Sequence, residues 1–401
     1  TFESGRVDSS RRISIKKLII EKVPFAVVAV GWSILTFALQ KEAGIVGQQG
    51  IGFRIANAFV SYAVYFFDSF WPQNLAVLYP YPLTLPWGQL AAAVVSLFLV
   101  SGLCFLRRKT SPHLVAGWLW YLGMLVPVIG IIQVGAQARA DRYTYLPQIG
   151  LWFALSWELV VLTKAWPFRH RLLSISAAAV LVVLSACTWN QTKVWRSSES
   201  LWRHTLAVTS DNFVAHYNLG HVLGQQRKYD EAILHFNEVL RMSPDFFDAL
   251  LNMGITLFEQ GKLDEAITYY RRALGVQPQS SKAHMQLALA LVQQGKNDEA
   301  LQEFRKAAEL GPEDPNVRTN LGLMLARQGK LSEATSQLEE ALKLNPNNAE
   351  AHNNLGLVFL MAKEPEKSIP HFTTALRLKP ELTVAQDNLK RAQKQIDGRS
   401  K

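Results

Sequence analysis

Cysteine is nearly absent from this chain: Cys104 and Cys187 are the only two, and both stand inside apolar runs. That excludes a disulfide framework and a cysteine-based metal centre. Acidic residues are scarce in one half only. Residues 1–200 carry 8 Asp+Glu against 18 Lys+Arg, whereas residues 201–401 carry 24 of each. Tryptophan is missing from the rest of the chain after Trp202, with all eleven at or before it. The net charge of +10 is therefore the property of one half, and two different architectures are joined near residue 200. The excess charge sits between apolar segments rather than on one soluble face, which excludes a nucleic-acid footprint. No Gly/Ser-rich or Pro-rich stretch separates the halves, so they are expected to join without a flexible linker. No initiator Met, n-region or cleavage site opens the chain, and the expectation is a chain that starts within a longer protein.

The first half, residues 1–197, reads as a membrane domain. Apolar runs near residues 23–39, 86–106, 114–134, 146–162 and 172–188 each approach the length a helix needs to cross the hydrocarbon core. Pro127 falls inside the third run and is expected to kink it. Trp residues cluster near the ends of these runs, as in an aromatic belt. A sixth run, residues 51–70, is amphipathic. Arg54, Asn57, Ser61, Tyr65 and Asp68 form one polar stripe, opposite Ile55, Phe59, Tyr62, Phe66 and Phe70. Such a helix either lies in the interface or turns its stripe into a bundle.

The distribution of basic residues favours five spans plus an interfacial helix. That topology places the N-terminal segment, Arg107-Arg108-Lys109 and Lys164 with Arg169 and Arg171 in the cytoplasm. Everything after Thr188 then emerges on the extracytoplasmic side, of a bacterial inner membrane or of the endoplasmic reticulum. Glu158, inside the fourth span, is costly there and invites a functional reading, although its nearness to Lys164 at the cytoplasmic interface also accounts for it.

The second half reads as an α-solenoid, so the whole is expected to be all-α. Prolines 244, 278, 312, 346 and 380 recur every 34 residues, the period of the tetratricopeptide repeat. Five repeats then start at Phe213, Phe247, Ser281, Pro315 and Ala349 and fill residues 213–382. Position 8 is small (Gly220, Gly254, Ala288, Gly322, Gly356), and position 24 is a large apolar knob in each (Phe236, Tyr270, Phe304, Leu338, Phe372). Residues 198–212 read as a half-repeat junction and residues 383–396 as a solvating cap.

Position 6 carries a carboxamide throughout: Asn218, Asn252, Gln286, Asn320, Asn354 and, in the cap, Asn388. A carboxamide both donates and accepts, so a row of them suits the backbone of an extended peptide; an inherited repeat consensus would look the same. The histidines show no ligand spacing, and no metal site is expected. In the first half, Arg139-Ala140-Asp141-Arg142-Tyr143 would lie in an outer loop. Its guanidiniums could hold a lipid phosphate, or an Arg–Asp pair could simply fix the loop. No catalytic residue can be assigned.

Several segments together resemble a known family. They are Glu21–Phe25, Ala56–Tyr65, Phe70-Trp71-Pro72, Gly117–Gly130 and the Asp141–Pro147 loop, followed by repeats. They resemble the C-terminal part of the membrane-and-tetratricopeptide-repeat O-mannosyltransferases, in bacterial form. The resemblance implies a GT-C type enzyme that moves a mannose-like sugar from a polyprenyl-phosphate donor to extracytoplasmic protein Ser/Thr. It also implies that the catalytic carboxylates belong to an earlier membrane half, which this chain lacks. Arg139, Asp141, Arg142 and Tyr143 match the family's loop, and Arg54 would border the donor site. The implied partners are membrane lipid and a protein or peptide in the repeat groove. The alternative is a non-enzymatic, membrane-anchored scaffold.

Overall fold

The computed structural model describes residues 50–72, 74–82, 84, 86–130 and 137–398, together with Gly31 and Leu35. The expected span at 23–39 thus lies outside the described residues, apart from those two. The chain divides into two compact units, Thr1–Ala215 and His216–Lys401.

In the first unit the amphipathic segment forms α1 (Ile51–Asp68), followed by a two-residue strand β1 (Tyr79–Pro80) and by α2 (Trp87–Leu106). Then come α3 (Pro112–Leu125), β2 (Gln137–Arg139), a 3₁₀ turn (Asp141–Thr144), α4 (Tyr145–Leu162), α5 (Arg169–Val194) and α6 (Ser198–Val208). The antiparallel β1–β2 ribbon departs from the all-α expectation, with Tyr79 opposite Arg139 and Pro80 opposite Gln137. The repeated Tyr-Pro of Tyr79–Pro82 explains it, because proline drives the residue before it into extended backbone.

Among the described residues, three helical stretches are long and apolar enough to cross a membrane: Trp87–Leu106, Asp141–Leu162 and Arg169–Val194. The third expected span, 114–134, is described in part, with residues 131–134 outside the described residues. Its helix starts at Pro112 and stops at Leu125, two residues before Pro127. Proline has no N–H to donate and clashes with the carbonyl four residues back, so the run breaks rather than kinks. The fifth run extends the other way, with α5 continuing to Val194 and burying none of its residues.

Tyr65, Trp118, Tyr121, Leu125 and Leu151 are central to this unit's core. Tyr62 and Phe66 of α1 pack against it, while Ile55, Phe59 and Phe70 of the same apolar face remain exposed. α3 and α4 approach through paired glycines. A Cβ on Gly117 would lie 2.3 Å from the Gly150 carbonyl oxygen, closer than any side chain permits. Glu158 is buried and accepts from Arg107 Nη1 (3.0 Å), with His113 Nε2 2.7 Å from its second oxygen. The carboxylate therefore ties the ends of α2 and α3 to α4, a role its distance from Lys164 did not reveal.

α6 is stitched back into its own unit. His204 Nε2 lies 3.1 Å from Leu75 O, Gln191 of α5 donates to the same carbonyl (3.3 Å), and Asn212 donates to Leu78 O (3.2 Å). The Asn212 carboxamide oxygen also accepts from Ala215 N, capping the next helix.

Five helical hairpins follow: α7 (Phe213–Gln225) with α8 (Tyr229–Met242), α9 (Phe247–Glu259) with α10 (Leu263–Val276), α11 (Ser281–Gln293) with α12 (Asn297–Leu310), α13 (Pro315–Arg327) with α14 (Leu331–Leu344), and α15 (Ala349–Met361) with α16 (Pro365–Leu378). α17 (Thr383–Asp397) closes the array. The large residue at position 24 is buried in every hairpin, and where position 8 is glycine it seats directly on it. Cβ atoms built on Gly254 and Gly356 would come within 2.5 Å of Tyr270 and 2.7 Å of Phe372. Successive hairpins are joined by polar rungs 30 residues apart, Gln260 to Asp230, Gln294 to Asp264 and Gln328 to Asp298.

Candidate functional site

Two residues of the polar stripe of α1 bond the backbone of β2 and of the residue after it. Asn57 Nδ2 donates to Ala138 O (3.1 Å), while the Tyr65 hydroxyl accepts from Ala140 N (2.8 Å) and donates to Ala140 O (3.1 Å). These bonds grip the chain on either side of Arg139 and so fix where that side chain points. Across the ribbon, the Arg139 guanidinium lies over the Tyr79 ring, 4.1 Å from its centroid. The Tyr79 hydroxyl accepts from Ala76 N (2.9 Å) and stands 3.1 Å from Asp141 Oδ2. Asp68 closes α1 nearby; burial pushes its carboxyl above the ordinary carboxylate range, and the charge of Arg139 draws it back.

Among the described residues no carboxylate forms an ion pair with Arg139, and its Nε is buried without a hydrogen-bond partner. The Tyr81 hydroxyl is also buried and unpartnered. Both groups line a cavity of about 670 Å³, with Asn57, Ser61 and Gln89 on its walls. A second cavity of about 420 Å³ shares Val60, Gln89 and Arg139 and continues between α1 and α2 along Ala63, Val64, Ala92 and Ala93.

The loop residues singled out from sequence separate in space. Arg139 and Asp141 face Tyr79, whereas Arg142 is exposed, 5.1 Å above the ring of Tyr143. Tyr143 in turn accepts from Gln137 Nε2 at 3.0 Å. Arg54 sits one turn before Asn57, and its charge acts on Tyr81, whose hydroxyl burial pushes up. Sequence reasoning missed Tyr79 and Tyr81, for which the repeated Tyr-Pro was the available signal. No group of three or more His, Cys, Asp or Glu among the described residues could hold a metal ion.

Residues 217–282, 251–315 and 285–336 match a tetratricopeptide repeat model, and residues 322–362 match a second TPR repeat model. The chain is 25% identical to protein O-mannosyl-transferase Tmtc3 of Drosophila melanogaster over 146 residues, and 29% identical to protein O-mannosyl-transferase TMTC1 of Mus musculus over 155 residues. The repeat half is a tetratricopeptide array of the kind those transferases carry. The matches cover 36% and 38% of this chain, and 16% of the length of each relative. Among solved structures, YrrB, described as a TPR protein with an unusual peptide-binding site, is 21% identical. It covers 47% of this chain and 97% of its own, with a TM-score of 0.40.

Within the tetratricopeptide array the position-6 carboxamides fall into two groups. Asn218, Asn252, Gln286 and Asn320 are half-buried. Asn252 donates to the Tyr217 hydroxyl (3.0 Å) and to Asp248 O (2.8 Å). Asn354 and Asn388 are buried and knitted together through Asn353, which donates to Asn354 Oδ1 and accepts from Asn388 Nδ2. One helical turn on, position 9 adds a parallel half-buried apolar row of Ile255, Leu289, Leu323 and Leu357.

Proposed function

We propose that this chain is the C-terminal part of a multi-pass membrane O-mannosyltransferase whose tetratricopeptide array holds the acceptor protein as an extended peptide on the extracytoplasmic side. The observation that carries this reading is the likeness of the repeats to protein O-mannosyl-transferases, in a chain that also contains three helices long and apolar enough to cross a membrane. In this reading the donor is a polyprenyl-phosphate-linked, mannose-like sugar. Arg54, Arg139, Asp141, Arg142 and Tyr143 border its phosphate, and the acid–base chemistry belongs to the rest of the protein. Asn218, Asn252, Gln286 and Asn320 pair with the peptide backbone while the apolar row takes alternate side chains, which supplies affinity without demanding one sequence. Asn354 and Asn388, spent on each other's support, end the row.

The test is a transfer assay on the full-length enzyme carrying Asn252→Ala, Gln286→Ala and Asn320→Ala together. A rise in KM for a Ser/Thr peptide of roughly tenfold or more, with kcat for a bound acceptor retained, is expected from the loss of a few hydrogen bonds of about 0.5–1.5 kcal/mol each. Transfer with an unchanged KM would remove the carboxamide row from acceptor binding. A protein that retains partners but transfers no sugar would be a membrane-anchored scaffold.

A further inference from the structure

Positions 2, 6, 9 and 13 of each repeat follow one another at steps of four, three and four, so they form a single stripe along the first helix of the hairpin. The middle of the stripe carries the carboxamide and apolar rows. Its two ends, positions 2 and 13, are exposed in the second to fifth hairpins. The charges on these stripes are sorted by sign. The second hairpin holds two carboxylates, Asp248 and Glu259, and no cation. The third holds Lys282, the fourth Arg327 and the cap Arg391, with no carboxylate on those three stripes. None of the five forms an ion pair among the described residues, whereas Glu350, the remaining carboxylate, is neutralised by Lys379 at 2.9 Å. Unpaired charges beside an apolar row are available to a partner, and opposite signs at its two ends give the surface a direction.

The acidic end also offers an aromatic ring. Tyr217 is half-buried, its hydroxyl accepts from Asn252 Nδ2 (3.0 Å), and its ring meets Phe246 edge-on with centroids 5.4 Å apart. Burial, and then the charge of Asp248, push the Tyr217 hydroxyl above its ordinary pKa, so that carboxylate lies within reach of the ring. A carboxylate near an aromatic ring suits lysine or arginine, which can take both an ion pair and a cation–π contact. The Asn252–Tyr217 bond shows that successive first helices touch. At about 8–10 Å per packed helix, the second and fourth hairpins stand roughly 16–20 Å apart. An extended peptide rising about 3.3 Å per residue covers that distance in about five or six residues.

We infer that the array selects acceptor segments by a charge pair: a lysine or arginine at the second hairpin against Asp248 and Glu259, an aspartate or glutamate at the fourth against Arg327, and apolar side chains between them on Ile255, Leu289 and Leu323. It rests on the reading that the array holds an extended peptide. It adds what carboxamides do not supply, because they pair with any backbone in either direction, whereas the charges fix which end of a segment lies at the second hairpin.

The experiment follows the anisotropy of labelled Ser/Thr/Val peptides on the whole chain in phosphatidylcholine nanodiscs, whose headgroups carry no net charge to compete. Four probes share one core and differ at two positions about six residues apart, which hold Lys and Asp, Lys and Lys, Asp and Asp, or Gln and Gln. The Lys/Asp peptide is expected to bind roughly five- to tenfold tighter than Gln/Gln at low salt, as two exposed ion pairs allow, and to lose most of that advantage at about 0.5 M NaCl. Asp248→Lys with Glu259→Lys should make Asp/Asp the tightest of the four, a gain that misfolding cannot produce. Glu313→Lys with Glu339→Lys makes the same change in net charge at exposed positions off the stripes and should leave the ranking as it was. Equal binding of Lys/Asp and Gln/Gln by the wild type, or an unchanged ranking in the Asp248/Glu259 variant, would overturn the charge pair and leave the peptide groove standing. A wild type that binds none of the four, in an enzyme that still transfers sugar at full length, would overturn the charge pair and the peptide groove together.

Discussion

Position 15 of each hairpin turns the chain from one helix into the next through a left-handed residue. Gly261, Gly295 and Gly329 take that conformation without penalty, whereas Arg227 and Lys363 hold φ of 61° and 62° with a Cβ. The left-handed region costs an ordinary L-residue roughly 1–2 kcal/mol. Arg227→Gly should therefore stabilise the first hairpin by about 0.5–1 kcal/mol, the strain relieved less the extra entropy of glycine in the unfolded chain. Chemical denaturation followed by far-UV circular dichroism reads this directly, and a loss of stability would mean that the Arg227 side chain does more than fill a turn. At this scale the sequence was informative wherever a residue type has only one use. A glycine opposite a large ring, as at Gly254 and Tyr270, is such a case. Arg139 is the opposite case. Its neighbours in sequence named it, but only the Asn57 and Tyr65 bonds to the flanking backbone separate its direction from that of Arg142.

Among elements, the hairpins carry a second polar ladder that has a pH dependence. The residue at position 4 reaches the preceding proline carbonyl: His284 to Pro278, Arg318 to Pro312 and His352 to Pro346. It also meets position 23 of its own hairpin, as His284 does Glu303 and Arg318 does Gln337. In the last hairpin both partners are histidines, with Nδ1 atoms 3.2 Å apart. The Pro346 carbonyl can only accept, so His352 Nε2 donates to it and the His371 ring faces the other nitrogen. Burial, and then the neighbouring His352, push the His371 pKa below its ordinary value. The unfolded chain thus binds more protons than the folded one between that lowered value and about 6.5. Stability from this pair is complete above the unfolded value and is lost as pH falls through the window. Hydrogen exchange corrected for intrinsic rate should show α15 and α16 opening more readily at pH 5 than at pH 7.5. His371→Leu should flatten that dependence; an equal dependence in the variant would assign it elsewhere. Sequence periodicity places these two residues in register but cannot say that their rings meet. It erred similarly on α3, where a count of apolar residues ran on through Pro127 although backbone chemistry ended the helix.

The molecule as a whole joins two units built on different principles. Proline spacing alone exposes the repeats, because each hairpin answers to the same neighbours. The first unit offers no such period: its ribbon, its paired glycines and the Glu158 cluster are contacts between residues far apart in the chain. The arrangement proposed for the membrane is open to a direct test on a Cys187→Ser background, which leaves buried Cys104 as the remaining native thiol. A thiol placed by Thr110→Cys, beside Arg107-Arg108-Lys109, should react with an impermeant maleimide only after the membrane is opened. A thiol placed by Glu313→Cys, at an exposed turn between hairpins, should react in intact cells or correctly oriented vesicles. Labelling at both positions from the same side would reverse the assignment of the array to the extracytoplasmic face.

The half-hairpin α6 has a consequence for how such a protein can change over generations. Its polar ties, from His204 and Asn212 to the carbonyls of Leu75 and Leu78, all lie before Ala215. The adapter's bonds are therefore complete within its own unit. Hairpins beyond it can be duplicated or deleted in steps of 34 residues without redrawing a single bond of that adapter. The reach of the array is a quantity lineages can adjust while the unit that carries Arg139 stays fixed.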